Sequence, residues 1–378
     1  MTEKLYDIDS HLKEFEATVL SCKEKDGKYF VVLDRTAFFP EGGGQKSDRG
    51  YIGNSKVLDV QIIENEIYHI TENPIEVDYK VLCTLDWERR FDFMQQHSGE
   101  HIVSGVAHSL YGCENVGFHL SEDIVTLDFD KPLKVGEIKQ IEQLANKAVF
   151  NNTEIVAFYP DENTLKNITY RSKKELEGDI RIVNIKGVDI CACCAPHVNF
   201  TGEIGTIKLL SSEALRGGVR IEMKCGSRAI TDYSQKCENI RKISSLLCVK
   251  QEETAYAVEK SIESANVLRY EITALRRKLT EEKIKNFNPE SQKTFLFEDG
   301  LEIKELQHFA DALYSAFGGI RGVFSPVSDG FSFAICGEEN ELQNFFTEFK
   351  ARFTVKGGGR NGMVQGTVYA KKEELENF

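Results

Sequence analysis

An α+β chain in four consecutive parts is the architecture that the sequence predicts: an N-terminal antiparallel β-barrel over residues 1–86, a second α+β domain over 87–232, a helical, coiled-coil-like linker over 233–288 and a C-terminal α/β domain over 289–378. Three observations predict it. Short runs of alternating apolar and polar residues fill 17–86, apolar spacing changes to three and four residues after Trp87, and a stretch without Gly or Pro at 236–285 precedes a return to mixed periodicity. The chain's 378 residues suffice for two or three domains, each with a core of its own.

The barrel strands are read at 29–33, 56–63 and 67–70, with Lys25-Asp26-Gly27 and Glu72-Asn73-Pro74 as turns. Among them lies Phe38-Phe39-Pro40-Glu41-Gly42-Gly43-Gly44-Gln45, too rich in glycine for a strand and read as a loop whose backbone can approach another group closely. Past Trp87, the positions of Phe91, Met94, His97, His101, Val106 and Leu110 fit one helix, and Gly112 is its stop signal. Strands at 124–129, 155–158, 180–185, 204–210 and 219–224, a helix at 135–151 and a tight loop at 190–198 complete the second domain.

Over 236–285, Ile243, Leu247, Val258, Ile262, Ala265, Leu268, Ile272, Leu275 and Leu279 recur at helical steps. That run reads as a long helix or a helical hairpin; packing on its own domain and a coiled-coil arm or dimer seam fit it equally. Helices at 303–316 and 341–353 and strands at 322–326 and 332–336 follow, and the tail at 356–366 reads as a second glycine-rich loop.

Composition narrows the function. With 41% hydrophobic and 28% charged residues and only 7 prolines, the chain is expected to be soluble and well packed. Apolar stretches such as 244–249 fall far short of the ~20 residues that span a bilayer. No apolar signal segment opens the sequence, so a cytoplasmic location and no membrane partner are expected. A net charge of −13 argues against a general nucleic-acid coat, although a local basic surface is allowed. In a long chain of this kind, the ten cysteines are expected to be thiols or metal ligands.

His97 and His101, four residues apart on the expected helix, project from one face about one turn apart, a spacing suited to one metal ion. Cys193 and His197 supply a second pair at the same spacing on a loop that contains Pro196. Thiolate with imidazole favours Zn2+ over magnesium or calcium. Cys191 and Cys194 crowd the same loop and form a rival ligand set. His97-Ser98-Gly99-Glu100-His101 also fits the H-x-x-E-H string of inverted zinc proteases, with Glu100 as general base. Those enzymes expect a downstream glutamate ligand, where this chain offers Cys193 and His197.

The motifs resemble a known family. Thr36 to Gln45 with Asp48 and Gly50, then His97 and His101, Cys193 with His197 and Val198, Thr201-Gly202-Glu203-Ile204-Gly205, and the segment from Arg216 to Glu222 are similar, in order, to the motifs of the alanyl-tRNA synthetase editing domain. The tail at 356–366 resembles the glycine-rich signature of the C-terminal domain that those synthetases share with DHH-type phosphoesterases. No class II catalytic domain precedes these motifs, so the chain resembles the long form of the free-standing alanyl-tRNA editing proteins. It departs at Cys193-Cys194-Ala195-Pro196-His197, where synthetases commonly carry Cys-Gly-Gly-Thr-His.

The resemblance implies a zinc-containing α+β editing domain and hydrolysis of the ester that joins serine, or glycine, to tRNA(Ala). It implies zinc ligation by His97, His101, Cys193 and His197, a contact of Thr36 with the serine hydroxyl, and orientation of water or the ester carbonyl by Gln45. Gly42, Gly43 and Gly44 would let backbone amides reach the substrate, and Arg220 would face the terminal phosphates or ribose. Taken singly, Thr36 also reads as a strand threonine with a satisfied hydroxyl, Gln45 as an ordinary loop residue, the glycines as a plain turn and Arg220 as a surface residue. Lys356, Gly357, Gly358, Gly359 and Arg360, with Arg269, Arg276, Arg277 and Lys278, are candidate tRNA contacts. A homodimer through the linker or C-terminal domain, and a zinc-dependent tRNA-binding module without catalysis, are the further readings.

Overall fold

The computed structural model describes residues 2–172, 180–289 and 291–378, and the chain divides into two compact units, Met1–Lys242 and Ile243–Phe378. In the first unit, six strands close into an antiparallel barrel in the order Glu14–Lys25, Lys28–Leu33, Glu66–Thr71, Ser55–Ile63, Gly50–Ile52 and Lys80–Leu85. Alternation is the cause: Phe15, Ala17 and Val19 of the first strand point inward to join Val31, Leu33, Ile52, Val57, Val60 and Cys83. The Lys25–Lys28 and Ile63–Glu66 connections each place two residues at positive φ (Asp26 and Gly27, Glu64 and Asn65), the twist that a two-residue hairpin requires.

The second half of this unit is built around the helix Trp87–Tyr111. Asp86 caps it by accepting from Arg89 N, and Gly112, at φ 60°, ends it. Residues on almost every side of this helix are buried, His97, Ser98, Glu100 and His101 included, so its polar groups depend on partners inside the protein. A four-stranded sheet (Ile207–Leu215, Gly218–Cys225, Val125–Phe129, Asn115–Leu120) and a three-stranded sheet (Ile155–Phe158, Ile182–Ile185, Asp189–Ala192) surround it. Two expectations are corrected here. The segment 190–198 begins as strand and becomes a loop only at Cys193, and 201–204 is a 3-10 turn that delays the next strand to Ile207.

The helical run at 236–285 is two helices, Gly226–Leu247 and Thr254–Lys285. Cys248 breaks it by adopting φ 53°, a left-handed conformation that no Gly or Pro advertises. Apolar Ile262, Leu268, Ile272 and Leu275 lie exposed along the second helix.

The second unit holds a five-stranded sheet in the order Lys293–Phe297, Ile320–Val327, Gly330–Cys336, Met363–Tyr369, Thr354–Arg360. Helix Ile303–Phe317 covers one face through Leu306, Phe309 and Leu313 against Val323 and Ala334. Helix Glu339–Arg352 covers the other through Leu342, Phe346 and Phe349 against Phe324 and Phe333. The expected glycine-rich loop is corrected: Lys356, Gly357, Gly358, Gly359 and Arg360 form the edge strand, and only Asn361 and Gly362 make the turn. A Cβ at Gly357 or Gly359 would run into the carbonyls of Gln365 and Met363, so the glycines permit close pairing of the two strands.

Candidate metal centre

The donor atoms of His97, His101, Cys193 and His197 all lie within 4.8 Å of one another. Nε2 of His97 is 3.5 Å and Nε2 of His197 is 3.4 Å from the Cys193 sulfur. The helix supplies two imidazoles one turn apart, and the loop after strand Asp189–Ala192 brings the thiol and the third imidazole against them.

Each imidazole is held by its far nitrogen. Nδ1 of His97 lies 3.0 Å from Gln45 Oε1, Nδ1 of His101 lies 3.0 Å from Asp189 Oδ2, and Nδ1 of His197 lies 3.0 Å from Ser98 Oγ. Asp189 is itself gripped by Arg171, whose Nε and Nη2 donate to its two oxygens at 2.8 and 2.9 Å. A histidine that donates through Nδ1 presents its Nε2 lone pair inward, the usual arrangement behind a metal ligand. Burial alone would push the Cys193 thiol up, but the imidazoles of His97 and His197 outweigh it and hold the thiol well below its ordinary range. Burial pushes His197 down to about 3, which keeps it a neutral donor. At His101 burial also acts downward, and Asp189 more than offsets it. Three imidazoles and a thiol whose donor atoms converge form a donor set that fits zinc.

The glycine loop serves this centre through its shape. Gly42 and Gln45 exchange backbone hydrogen bonds at 3.0 Å across Gly43 and Gly44, whose φ angles of 59° and 82° make a two-residue hairpin turn. A Cβ at Gly44 would sit 2.7 Å from the Phe118 ring. The turn thereby seats Gln45 on His97. Behind it, buried Arg90 of the helix donates to Asp48 and to the Ala37 carbonyl, and Asp48 accepts from Phe39 N at 2.6 Å.

Thr36, Arg220 and Arg276 are each held by other partners. Thr36 is fully buried in the barrel; its hydroxyl is 2.8 Å from His69 Nε2 and accepts from Phe38 N at 3.1 Å, so it has the satisfied environment of a strand threonine. Arg220, an exposed side chain on the otherwise largely buried strand Gly218–Cys225, is paired with Asp128 through two 2.7 Å bonds, and none of its described bonds reaches the cluster. Arg276 pairs with Glu305 at 2.9 Å. Cys191 groups with His101 and Asp189, but Arg171 already occupies both oxygens of that carboxylate. The sulfur of Cys194 faces the turn, 3.4 Å from where a Cβ of Gly43 would stand. Glu100, the general base of the protease reading, is buried and accepts from Ser104 and Asn115 at 2.6 Å through Oε1. Sequence reasoning passed over Ser98, Asp189, Arg171 and Arg90; Ser98 alone carried a signal, its place between the two ligand histidines.

Family models match twice: the threonyl and alanyl tRNA synthetase second additional domain at residues 180–222, and class II (A) tRNA synthetases at residues 7–89. The alanyl-tRNA editing protein AlaX-L of Pyrococcus horikoshii is 31% identical over 99% of this chain and 96% of its own length. The chain belongs to the alanyl-tRNA editing proteins. Among them, Aarsd1-B of Xenopus laevis is 28% identical over 97% of this chain and 94% of its own. The alanine–tRNA ligase of Pyrococcus furiosus is 35% identical over 74% of this chain, and the chain spans only 32% of that ligase. As an editing protein of the long form, the chain carries the residues just described from the barrel turn to the Cys193 loop. Among the described residues, no helix is long and apolar enough to cross a membrane.

Proposed function

We propose that this protein is a cytoplasmic trans-editing hydrolase that deacylates tRNA(Ala) mischarged with serine, with the glycine ester as a second substrate. The observation that carries the reading is the convergence of His97, His101, Cys193 and His197, each imidazole braced from behind, in a member of this family. His97, His101, Cys193 and His197 would hold Zn2+, which would supply Lewis-acid chemistry for orienting the adenosine end or the amino acid, or for polarising water, the second role being weakened if all four residues bind at once.

The reaction adds water to the ester carbonyl and breaks the bond to the ribose oxygen, which takes up a proton. An aminoacyl ester is already activated, so positioning and a placed water are the main requirements. Gln45 fits this work: Oε1 is committed to His97, whereas Nε2 is buried without a hydrogen-bond partner among the described residues and is available to the carbonyl or the water. Gly42, Gly43 and Gly44 keep side chains off the approach. Thr36 enters chiefly as a positioning residue; with His69 and Phe38 N engaged, its hydroxyl keeps one acceptor lone pair, through which contact with the serine hydroxyl would separate serine from alanine. Arg220 holds Asp128 with Nε and Nη2, which leaves Nη1 to face ribose or phosphate.

For the tRNA body, Lys356 and Arg360 flank Gly357, Gly358 and Gly359 on an exposed edge strand, and Arg269, Arg277 and Lys278 lie on the long exposed helix. The exposed apolar row of that helix supports a homodimer. The full burial of Thr36 is the observation that favours a zinc-dependent tRNA-binding module without catalysis. Release of labelled amino acid separates the two: rapid loss of serine from Ser-tRNA(Ala), with Ala-tRNA(Ala) spared and His101→Ala impaired, supports the hydrolase. Binding of both esters without release overturns it and leaves the module.

A further inference from the structure

The loop that carries Cys193 runs Cys193-Cys194-Ala195-Pro196-His197 without a glycine, and its course is held from behind by a buried cation. Arg181, immediately before strand Ile182–Ile185, is only 6% exposed. Its Nη1 donates to the carbonyls of Cys193 and Ala195 at 3.2 and 2.9 Å, and its own carbonyl accepts from Cys193 N at 3.0 Å. One residue thus grips the turn at three points, on both sides of Cys194. Ala195 is fully buried, and its carbonyl is satisfied by this cationic donor. The guanidinium is aimed in turn: Nε lies 3.5 Å from Asp7 Oδ1, and Asp7 Oδ2 accepts from Tyr159 at 3.0 Å. At the far end of the loop, Ser10 Oγ donates to the His197 carbonyl at 2.7 Å.

We propose that Arg181 is a positioning residue of the metal centre, fixing the 193–195 turn so that the Cys193 sulfur meets the imidazoles of His97 and His197, with Asp7 orienting the guanidinium. The inference rests on the metal reading above. Arg181 touches neither the donor atoms nor, in this account, the substrate. Lysine keeps the charge but has no planar fork to hold two carbonyls and a carboxylate together.

The test titrates chelator-stripped full-length protein with Co2+ and with Zn2+ against a chromophoric chelator. Wild-type protein should show a thiolate-to-cobalt charge-transfer band. Arg181→Met should bind Zn2+ about 10- to 100-fold more weakly, the usual effect of losing an outer-shell partner, and show a weakened or shifted band. Arg181→Lys should fall between, and Asp7→Asn should move both readouts in the same direction by less. Val183→Ala, in the buried core of the neighbouring strand, should lower the unfolding temperature and leave the band in place. A folded Arg181→Met protein with wild-type affinity and band overturns the proposal. Should that variant fail to fold, Arg181→Lys and Asp7→Asn decide it by the same two readouts. A wild-type protein with no thiolate band overturns the metal reading itself, a result distinct from the failure of Arg181 alone.

Discussion

Gln45 Oε1 accepts from Nδ1 of His97 at 3.0 Å, so a residue of the barrel's glycine turn fixes the ring of a ligand on the central helix. Its two ends can be tested separately. Gln45→Met keeps the bulk and removes the acceptor, and should weaken zinc affinity about 10- to 100-fold. Gln45→Glu keeps the acceptor and removes the Nε2 donor, so zinc affinity should hold while the single-turnover rate on Ser-tRNA(Ala) falls. Equal zinc affinity in all three proteins would show that the bond to His97 does not support the metal.

Arg90 and Asp48 form an ion pair that is almost wholly out of solvent, and the same guanidinium bonds the carbonyls of Ala37 and Ser10. Removing one member leaves a buried charge, so Arg90→Met should cost about 3–5 kcal/mol in urea unfolding. A loss below about 1 kcal/mol would mean that the pair is not what ties the glycine loop to the helix.

His69 supplies a pH signature. Nδ1 lies 3.1 Å from the Val31 carbonyl and Nε2 faces Thr36, and burial pushes its pKa down to about 4. Below about pH 6.5 the unfolded chain takes up a proton that the folded barrel refuses. Stability should therefore fall as pH drops from about 6.5 to about 4, by about 3 kcal/mol from this residue, and level off below. His69→Gln should flatten that part of the profile when urea midpoints are compared between pH 7.5 and pH 4.5. An unchanged slope would contradict a neutral, buried His69.

Lys356 and Arg360 lie on the exposed edge strand. If they meet phosphates, replacing both with alanine should weaken tRNA(Ala) binding and lower the slope of log affinity against log salt by roughly 1 to 2. Zinc content should not change. Identical salt slopes would move the RNA contact elsewhere.

Much of this was legible in the sequence because it is periodic. The barrel strands alternate, and His97 and His101 sit on a helix announced by its apolar spacing and stopped at Gly112. Gln45 was picked out by its motif, but the pairings of Asp189 with His101 and of Ser98 with His197 were not legible, because the partners lie 88 and 99 residues apart and only the fold joins them. Residues 356–360 read as a loop because glycines carry no side chains to alternate, although their bareness is what lets the edge strand pair. The helix break at Cys248 is a left-handed cysteine, which local propensity does not signal. Thr36 shows the reverse case: the motif pointed to substrate, and the structure gives its hydroxyl to His69 and Phe38.

The measurement that tests the central claim most directly is a zinc titration of chelator-stripped protein, with serine release from Ser-tRNA(Ala) and alanine release from Ala-tRNA(Ala) followed at each step. The account predicts that serine release rises with added zinc and saturates at one equivalent per chain, that alanine is spared throughout, and that His101→Ala neither binds the equivalent nor recovers. Full serine release by the stripped protein, or one tightly bound zinc with no release of either amino acid, would contradict it.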